Sequence, residues 1–88
     1  MAVRLRLQRG GSKGRPHYRI CAMDSRTKRD GKHLELLGTY HPLESDDMKR
    51  VKIDLERVDH WVSNGAQPTE SVASLVKHVR RREAAGTQ

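Results

Sequence analysis

Apolar and polar positions alternate from the start of the chain. Val3, Leu5 and Leu7 interleave with Arg4, Arg6 and Gln8, and a period of two belongs to a strand with one buried face. The other face then carries guanidinium groups. Gly10, Gly11, Gly14 and Pro16 interrupt the alternation. They predict an irregular, flexible basic loop over residues 10–16, flanked by Arg9 and holding Ser12, Lys13 and Arg15. Alternation resumes from His17 to Met23, with Tyr18, Ile20 and Ala22 on one face and His17, Arg19, Cys21 and Met23 on the other. The polar segment that follows ends in Asp30-Gly31, a strong hairpin signal between extended segments. Arg26, Lys28, Arg29 and Lys32 are therefore expected near the tip of a projecting hairpin. A return strand is predicted over about residues 33–40, with Gly38 as a bulge or close-packing point. Residues 43–50 read as an acidic surface connection, and residues 51–53 as a short strand.

The period then changes to that of a helix. Asp54 is placed as an N-cap, Leu55, Val58, Trp61 and Val62 recur at helical spacing, and Gly65 suits the left-handed position past the helix end. Ala66 to Pro68 turn the chain and Thr69 caps a second helix, whose apolar stripe is Val72, Ala73, Leu75, Val76 and Val79. Trp61 reads as core filling. Lys77, Arg80, Arg81 and Arg82 fall in the expected last turn, where cations suit the helix dipole. Residues 83–88 read as a disordered tail. The pattern predicts an α+β fold in one domain over residues 1–82. It is a small, mainly antiparallel four- to five-stranded sheet with two C-terminal helices packed on it.

Composition sharpens this picture. With 88 residues and 34% hydrophobic content, below the about 45–50% of ordinary domains, a figure that also counts glycine, the core is small and gains from burial against a large partner. The net charge of +7 is unevenly spread. Residues 1–32 hold ten basic and two acidic side chains, residues 33–76 four basic and eight acidic, and residues 77–88 four basic and one acidic. Cations gathered at the two ends of the chain are an electrostatic footprint for a polyanion. No apolar run approaches the roughly 20 residues of a membrane span, and the first residues are too charged for a secretory signal. Cys21 is the only cysteine, which excludes an internal disulfide and fits a reducing compartment.

Catalytic and metal chemistry finds little support. The histidines at 17, 33, 41, 60 and 78 lack the short paired spacings of a metal site, and Cys21 within a strand reads as a small buried hydrophobe. The glycine loop lacks the Gly-Lys-Ser/Thr ending of a nucleotide-binding P-loop. Gly11-Ser-Lys-Gly14 matches the bare GXXG pattern of a KH domain but follows a strand, whereas that loop joins two helices. The chain has no Phe, and Tyr18, Tyr40 and Trp61 are dispersed along it. Readers of single strands depend on aromatic platforms, so many cations with few rings point to the phosphates and shape of folded RNA. Two other readings compete. One is a magnesium-dependent nuclease using Asp24, Asp30 or Asp47, and the other is a free DNA-binding module.

Taken together, several segments resemble one family. They are Val3-Arg-Leu-Arg-Leu-Gln-Arg-Gly10, Ser12-Lys13, Pro16-His-Tyr-Arg-Ile20, Asp24-Ser-Arg26, Lys28-Arg-Asp-Gly31, Leu37-Gly-Thr-Tyr40 with Pro42, and Trp61 through Gly65-Ala-Gln-Pro-Thr69. In order and spacing they resemble the bacterial-type small-subunit ribosomal protein family numbered sixteen, over nearly the whole chain. The resemblance implies an α+β protein of the small ribosomal subunit that binds the 5′ domain of its RNA and stabilises junctions during assembly. It implies neighbouring ribosomal proteins as further partners. No cofactor, no enzymatic activity, no membrane and no homo-oligomer are expected. The implied location is the ribosome, in bacterial cytoplasm or a plastid. The RNA-binding residues expected are Arg4, Arg6, Arg9, Ser12, Lys13, Arg15, His17, Arg19, Arg26, Lys28, Arg29, Lys32, Lys77, Arg80 and Arg81.

Overall fold

The computed structural model describes residues 2–12, 14–26 and 32–86. Strand β1 (Val3–Ser12) pairs antiparallel with β2 (Arg15–Asp24) in an unbroken register from Val3 opposite Asp24 to Ser12 opposite Arg15. This corrects the expected irregular loop over residues 10–16. The ladder continues through Gly10 and Gly11 to Ser12. Glycine lowers strand propensity, but inside a strand it also marks a place where another group must approach closely. Here that group is a side chain of β2, described below.

Strand β3 (Glu35–Tyr40) pairs with β2 on the side away from β1. The register passes from Ile20 opposite Gly38 to Cys21 opposite Leu36, so Leu37 is an extra residue. This bulge rotates Leu37 into the core, where it is 2% exposed. Gly38 sits at the bulge, and a Cβ there would overlap the Lys52 carbonyl of the next strand. The expectation of a bulge and a close approach at Gly38 holds.

Residues 43–50 are not entirely a plain connection. Asp47–Arg50 forms a single helical turn, α1, whose N-cap Asp46 accepts the Met48 N–H at 3.0 Å. None of its residues is buried, so apolar periodicity could not announce it. Strand β4 (Val51–Ile53) follows, antiparallel to β3. Helix α2 (Leu55–Ser63) begins where the Asp54 carboxylate accepts the Arg57 N–H at 3.3 Å. It ends at Asn64, with Gly65 at φ 97°, the left-handed conformation that reverses a helix at least cost in glycine.

The expected turn at residues 66–68 contains a two-residue strand, β5 (Gln67–Pro68). It runs parallel to β1, with Arg4 opposite Gln67 and Leu5 opposite Pro68. Pro68 fits because β5 is an edge strand. Thr69 donates its N–H to the Leu5 carbonyl at 3.0 Å, and its hydroxyl accepts the Val72 N–H at 3.4 Å. Helix α3 spans Glu70–Gly86. It therefore carries Glu83 to Gly86, which the pattern assigned to a tail, and Ala84 and Ala85 are strong helix formers. Lys77 to Arg82 accordingly lie before its last turn.

The result is a five-stranded mixed sheet of order β4-β3-β2-β1-β5, mostly antiparallel, with the helices on one face. Leu5, Ile20, Ala22, Leu37 and Val51 from the sheet meet Val58 of α2, Ala66, and Val72 and Val79 of α3. Each Leu, Ile or Val among them contributes about 1.5–3 kcal/mol when fully buried. Trp61 lies at the margin, half-buried, and donates its indole N–H to Glu35 at 2.9 Å. Two ionic clasps tie helices to sheet. Arg57 forks onto both Glu35 oxygens at 2.7 Å. Asp47 gathers Arg50, His78 and Arg82, while Arg82 also donates to the Val51 carbonyl at 3.1 Å.

Candidate nucleic-acid interface

Alternation along the strands sends every second residue to the face that the helices leave open. From β1 to β4 these are Arg4, Arg6, Gln8, Gly10, His17, Arg19, Cys21, Met23, Leu36, Thr39 and Lys52, following the register. Among these described positions there is no carboxylate. Cys21 and Met23 are fully buried and Gln8 is 8% exposed, so the centre of this face is not a bare solvated surface. The Arg6 Nε donates toward the Met23 sulfur at 3.4 Å, and the Cys21 thiol lies 3.9 Å from the Gln8 side-chain oxygen. The guanidinium of Arg6 is thus held over Met23 at the open face. Burial pushes the Cys21 thiol up from its ordinary value, partly offset by Arg19 and Arg6.

At the hairpin end, His17 explains the glycines. A Cβ on Gly10 would stand 2.9 Å from the His17 Nε2, and one on Gly11 2.5 Å from Nδ1 and 2.7 Å from the Arg15 carbonyl. The glycines make room for an imidazole of the same hairpin. His17 also lies beside His41, with ring centroids 5.6 Å apart. Arg15 is exposed at the start of β2.

Arg9 departs from its neighbours. Odd positions of β1 face the helices, so Arg9 lies opposite Tyr18 and away from Arg4 and Arg6. Tyr18 in turn stacks on Tyr40 at 5.9 Å and 28°. Rings dispersed in the sequence therefore become a pair, because β2 and β3 are neighbours in register. Sequence reasoning missed this aromatic pair. Its signal was present in the matching ends of the two predicted strands, but pairing them required the bulge to be placed.

The remaining predicted residues divide between surfaces. Arg26 and Lys32 are exposed beside the β2–β3 connection, while Lys13, Lys28 and Arg29 lie outside the described residues, as does the Asp30-Gly31 tip. Ser12 ends β1 opposite Arg15. Lys77, Arg80 and Arg81 are exposed on α3, which packs on the opposite face of the sheet, so they do not join Arg4 and Arg19 in one surface. Arg80 is also paired with Asp59.

Charge is sorted in the same way. The ion pairs among the described residues join Arg50, Arg57, Arg80, Arg82 and His78 to Asp47, Glu35 and Asp59. Arg4, Arg9, Arg15 and Arg19 enter none of them. Hydrogen bonds from Arg57 and then Trp61 lower Glu35 to about 2, and those from Arg50, Arg82 and His78 hold Asp47 well below the usual carboxylate range. Asp47 is thus committed to structural partners, and Asp24 accepts the Arg26 N–H at 2.9 Å. No group of three metal-ligating side chains comes together among the described residues.

A family model described as ribosomal protein S16 matches residues 9–69. The chain belongs to the ribosomal protein S16 family. Members are structural proteins and not enzymes. The small ribosomal subunit protein bS16 of Stenotrophomonas maltophilia (strain R551-3) is 51% identical over 83 residues, covering 94% of this chain and 96% of the relative. Its counterpart in Cereibacter sphaeroides (strain ATCC 17029) is 54% identical over 86 residues, 97% of this chain and 74% of the relative. That of Histophilus somni (strain 2336) is 49% identical over 79 residues, 90% and 96% of the two chains. The S16 match begins at Arg9 and ends at Thr69, so it includes the His17 hairpin end and the tyrosine pair.

Proposed function

We propose that this S16 family chain is a structural constituent of the bacterial small ribosomal subunit, held in the cytoplasmic ribosome by folded ribosomal RNA. The observation that carries the reading is the carboxylate-free outer face of the sheet, where Arg4 and Arg19 stand without ion pairs among the described residues. RNA segments brought together repel through their phosphates, and a protein with cations on several surfaces lowers that repulsion. Arginine can fork two phosphate oxygens, whereas lysine acts as a point charge. The outer face takes one RNA segment, while Arg15 and His17 at the hairpin end and the basic β2–β3 connection reach others. Lys77 and Arg81 on α3 add contacts on the opposite side, toward RNA or neighbouring small-subunit proteins. The protein thereby stabilises RNA junctions of the 5′ domain during assembly.

Filter binding to a 5′-domain fragment of small-subunit RNA tests this. About six to ten phosphate contacts lose about 10³–10⁵ in affinity between 50 and 200 mM salt. Arg4→Ala with Arg19→Ala lowers the log–log salt slope by about 2, one for each contact removed, while the circular dichroism spectrum is unchanged. Duplex DNA competes poorly. A flat salt response, or an unaltered slope in the double variant, would remove the outer face from the interface.

A further inference from the structure

A hollow of about 540 Å³ opens beside the tyrosine pair, β1 and the start of α3. It is lined by Arg6, Leu7, Arg9, Tyr18, Tyr40, Pro42, Thr69 and Ser71. The volume lies within the roughly 300–1,000 Å³ of pockets that hold small molecules or single residues of a polymer. Its lining combines three kinds of group in one place. Tyr18 and Tyr40 are half-buried and stacked, and they offer aromatic surface with phenolic hydroxyls. Arg9 is exposed and enters no ion pair among the described residues. Thr69 and Ser71 bring hydroxyl groups from the start of α3. Among the described residues, no carboxylate lines the hollow. The neighbouring cleft at the hairpin end, beside His17 and His41, does include Glu44, which opposes a phosphate.

We propose that this hollow receives one unpaired nucleotide of the bound RNA. Its base packs against Tyr18 and Tyr40, and its phosphate meets the Arg9 guanidinium, with the Thr69 and Ser71 hydroxyls as further donors. The inference rests on the RNA reading above but deepens it. The outer face meets phosphates of helical RNA without regard to base, while the tyrosine pocket requires a base that has left its stack. Stacking on protein rings serves such bases in single-strand readers. The same few rings that are too sparse for a single-strand platform suffice for one nucleotide.

The test has two arms. In the first, the wild-type protein is titrated with uridine and adenosine 5′-monophosphate, and the Tyr18 and Tyr40 ring resonances are followed by NMR. Both rings shift along one saturable curve, whereas ribose 5-phosphate leaves them in place. In the second arm, Tyr18→Leu binds the 5′-domain RNA fragment about 5- to 150-fold more weakly, the equivalent of one stacked base at about 1–3 kcal/mol. Its salt slope matches the wild type, and Tyr18→Phe keeps most of the affinity. Ring resonances unmoved by either nucleotide would overturn the proposal. So would wild-type RNA affinity in a folded Tyr18→Leu variant, or an effect confined to Arg9→Gln, which would mean a phosphate contact only. Tight binding of a free nucleotide without any effect of Tyr18→Leu on RNA affinity would overturn it too. These failures leave the outer-face salt slope intact, so they are separable from failure of the RNA reading itself.

Discussion

Replacing Gly38 by alanine tests the tightest backbone approach in the fold. The added Cβ would overlap the Lys52 carbonyl oxygen and stand 3.0 Å from the Ile53 Cα and 3.1 Å from the Lys52 carbonyl carbon, where ordinary contact begins at 3.4 Å. All three atoms are backbone, so no side chain can swing aside. Either β4 moves away from β3 or the bulge at Leu37 is lost. Overpacking of this kind costs about 1–3 kcal/mol. Partial release of β4 adds some of the roughly 1.5–3 kcal/mol held in Val51, which is fully buried. Alanine also stiffens the unfolded chain, which returns about 0.4–1 kcal/mol. The clash wins, and the net loss is about 2–4 kcal/mol. For a domain of this size that lowers Tm by about 8–30 °C, a large share of a total stability of about 5–15 kcal/mol. Thermal melts followed by circular dichroism read the effect directly. Gly14→Ala is the control, because a Cβ there meets nothing within 4 Å. A Gly38→Ala protein that melts at or above the wild-type temperature would refute the packing argument.

Three other perturbations probe the clasps and the core. Glu35 is lowered from 4.5 to about 2 by its partners, so the fold favours its ionised form. Its contribution is complete above about pH 4.5 and fades as pH falls toward 2. Glu35→Gln therefore costs about 1 kcal/mol near neutrality, given the partial exposure of the pair, and the gap to wild type closes in acid. Urea melts at pH 6 and pH 2.5 that differ by the same amount would contradict this. Arg82→Met removes donors to the Asp47 carbonyl and carboxylate and to the Val51 carbonyl. It should cost about 1.5–3 kcal/mol, whereas Arg80→Ala, whose pair with Asp59 is exposed, stays within about 0.5 kcal/mol. Equal losses would show that the Asp47 clasp is no stronger than a surface pair. Finally, the buried Cys21 thiol should react with a maleimide only as fast as the sheet opens. Labelling at the rate of an unfolded peptide would contradict its burial.

The alternation of Val3, Leu5 and Leu7 with Arg4 and Arg6 determined a strand with one charged face, because a side-chain period of two leaves no other arrangement. Asp54, Gly65 and Thr69 similarly marked helix ends, since capping is a local matter of a few backbone groups. Family membership was also legible, because it rests on residue identity in order. Other features depended on contacts distant in the chain. Helix α1 has no buried residue to betray it, and its Asp47 is committed by Arg82 and His78, more than thirty positions later. Strand β5 exists only because β1 lies open beside Gln67 and Pro68. Gly10 and Gly11 suggested flexibility, yet they are ladder positions cleared for the His17 ring. The pattern has Arg9 flanking a loop, whereas the continuation of the β1 ladder places it opposite Tyr18 on the face of Leu5 and Leu7. Sequence determined which residues are charged, apolar or ring-bearing. Tertiary structure decided which of them share a surface, because a single extra residue in β3 sets the register that pairs the two tyrosines.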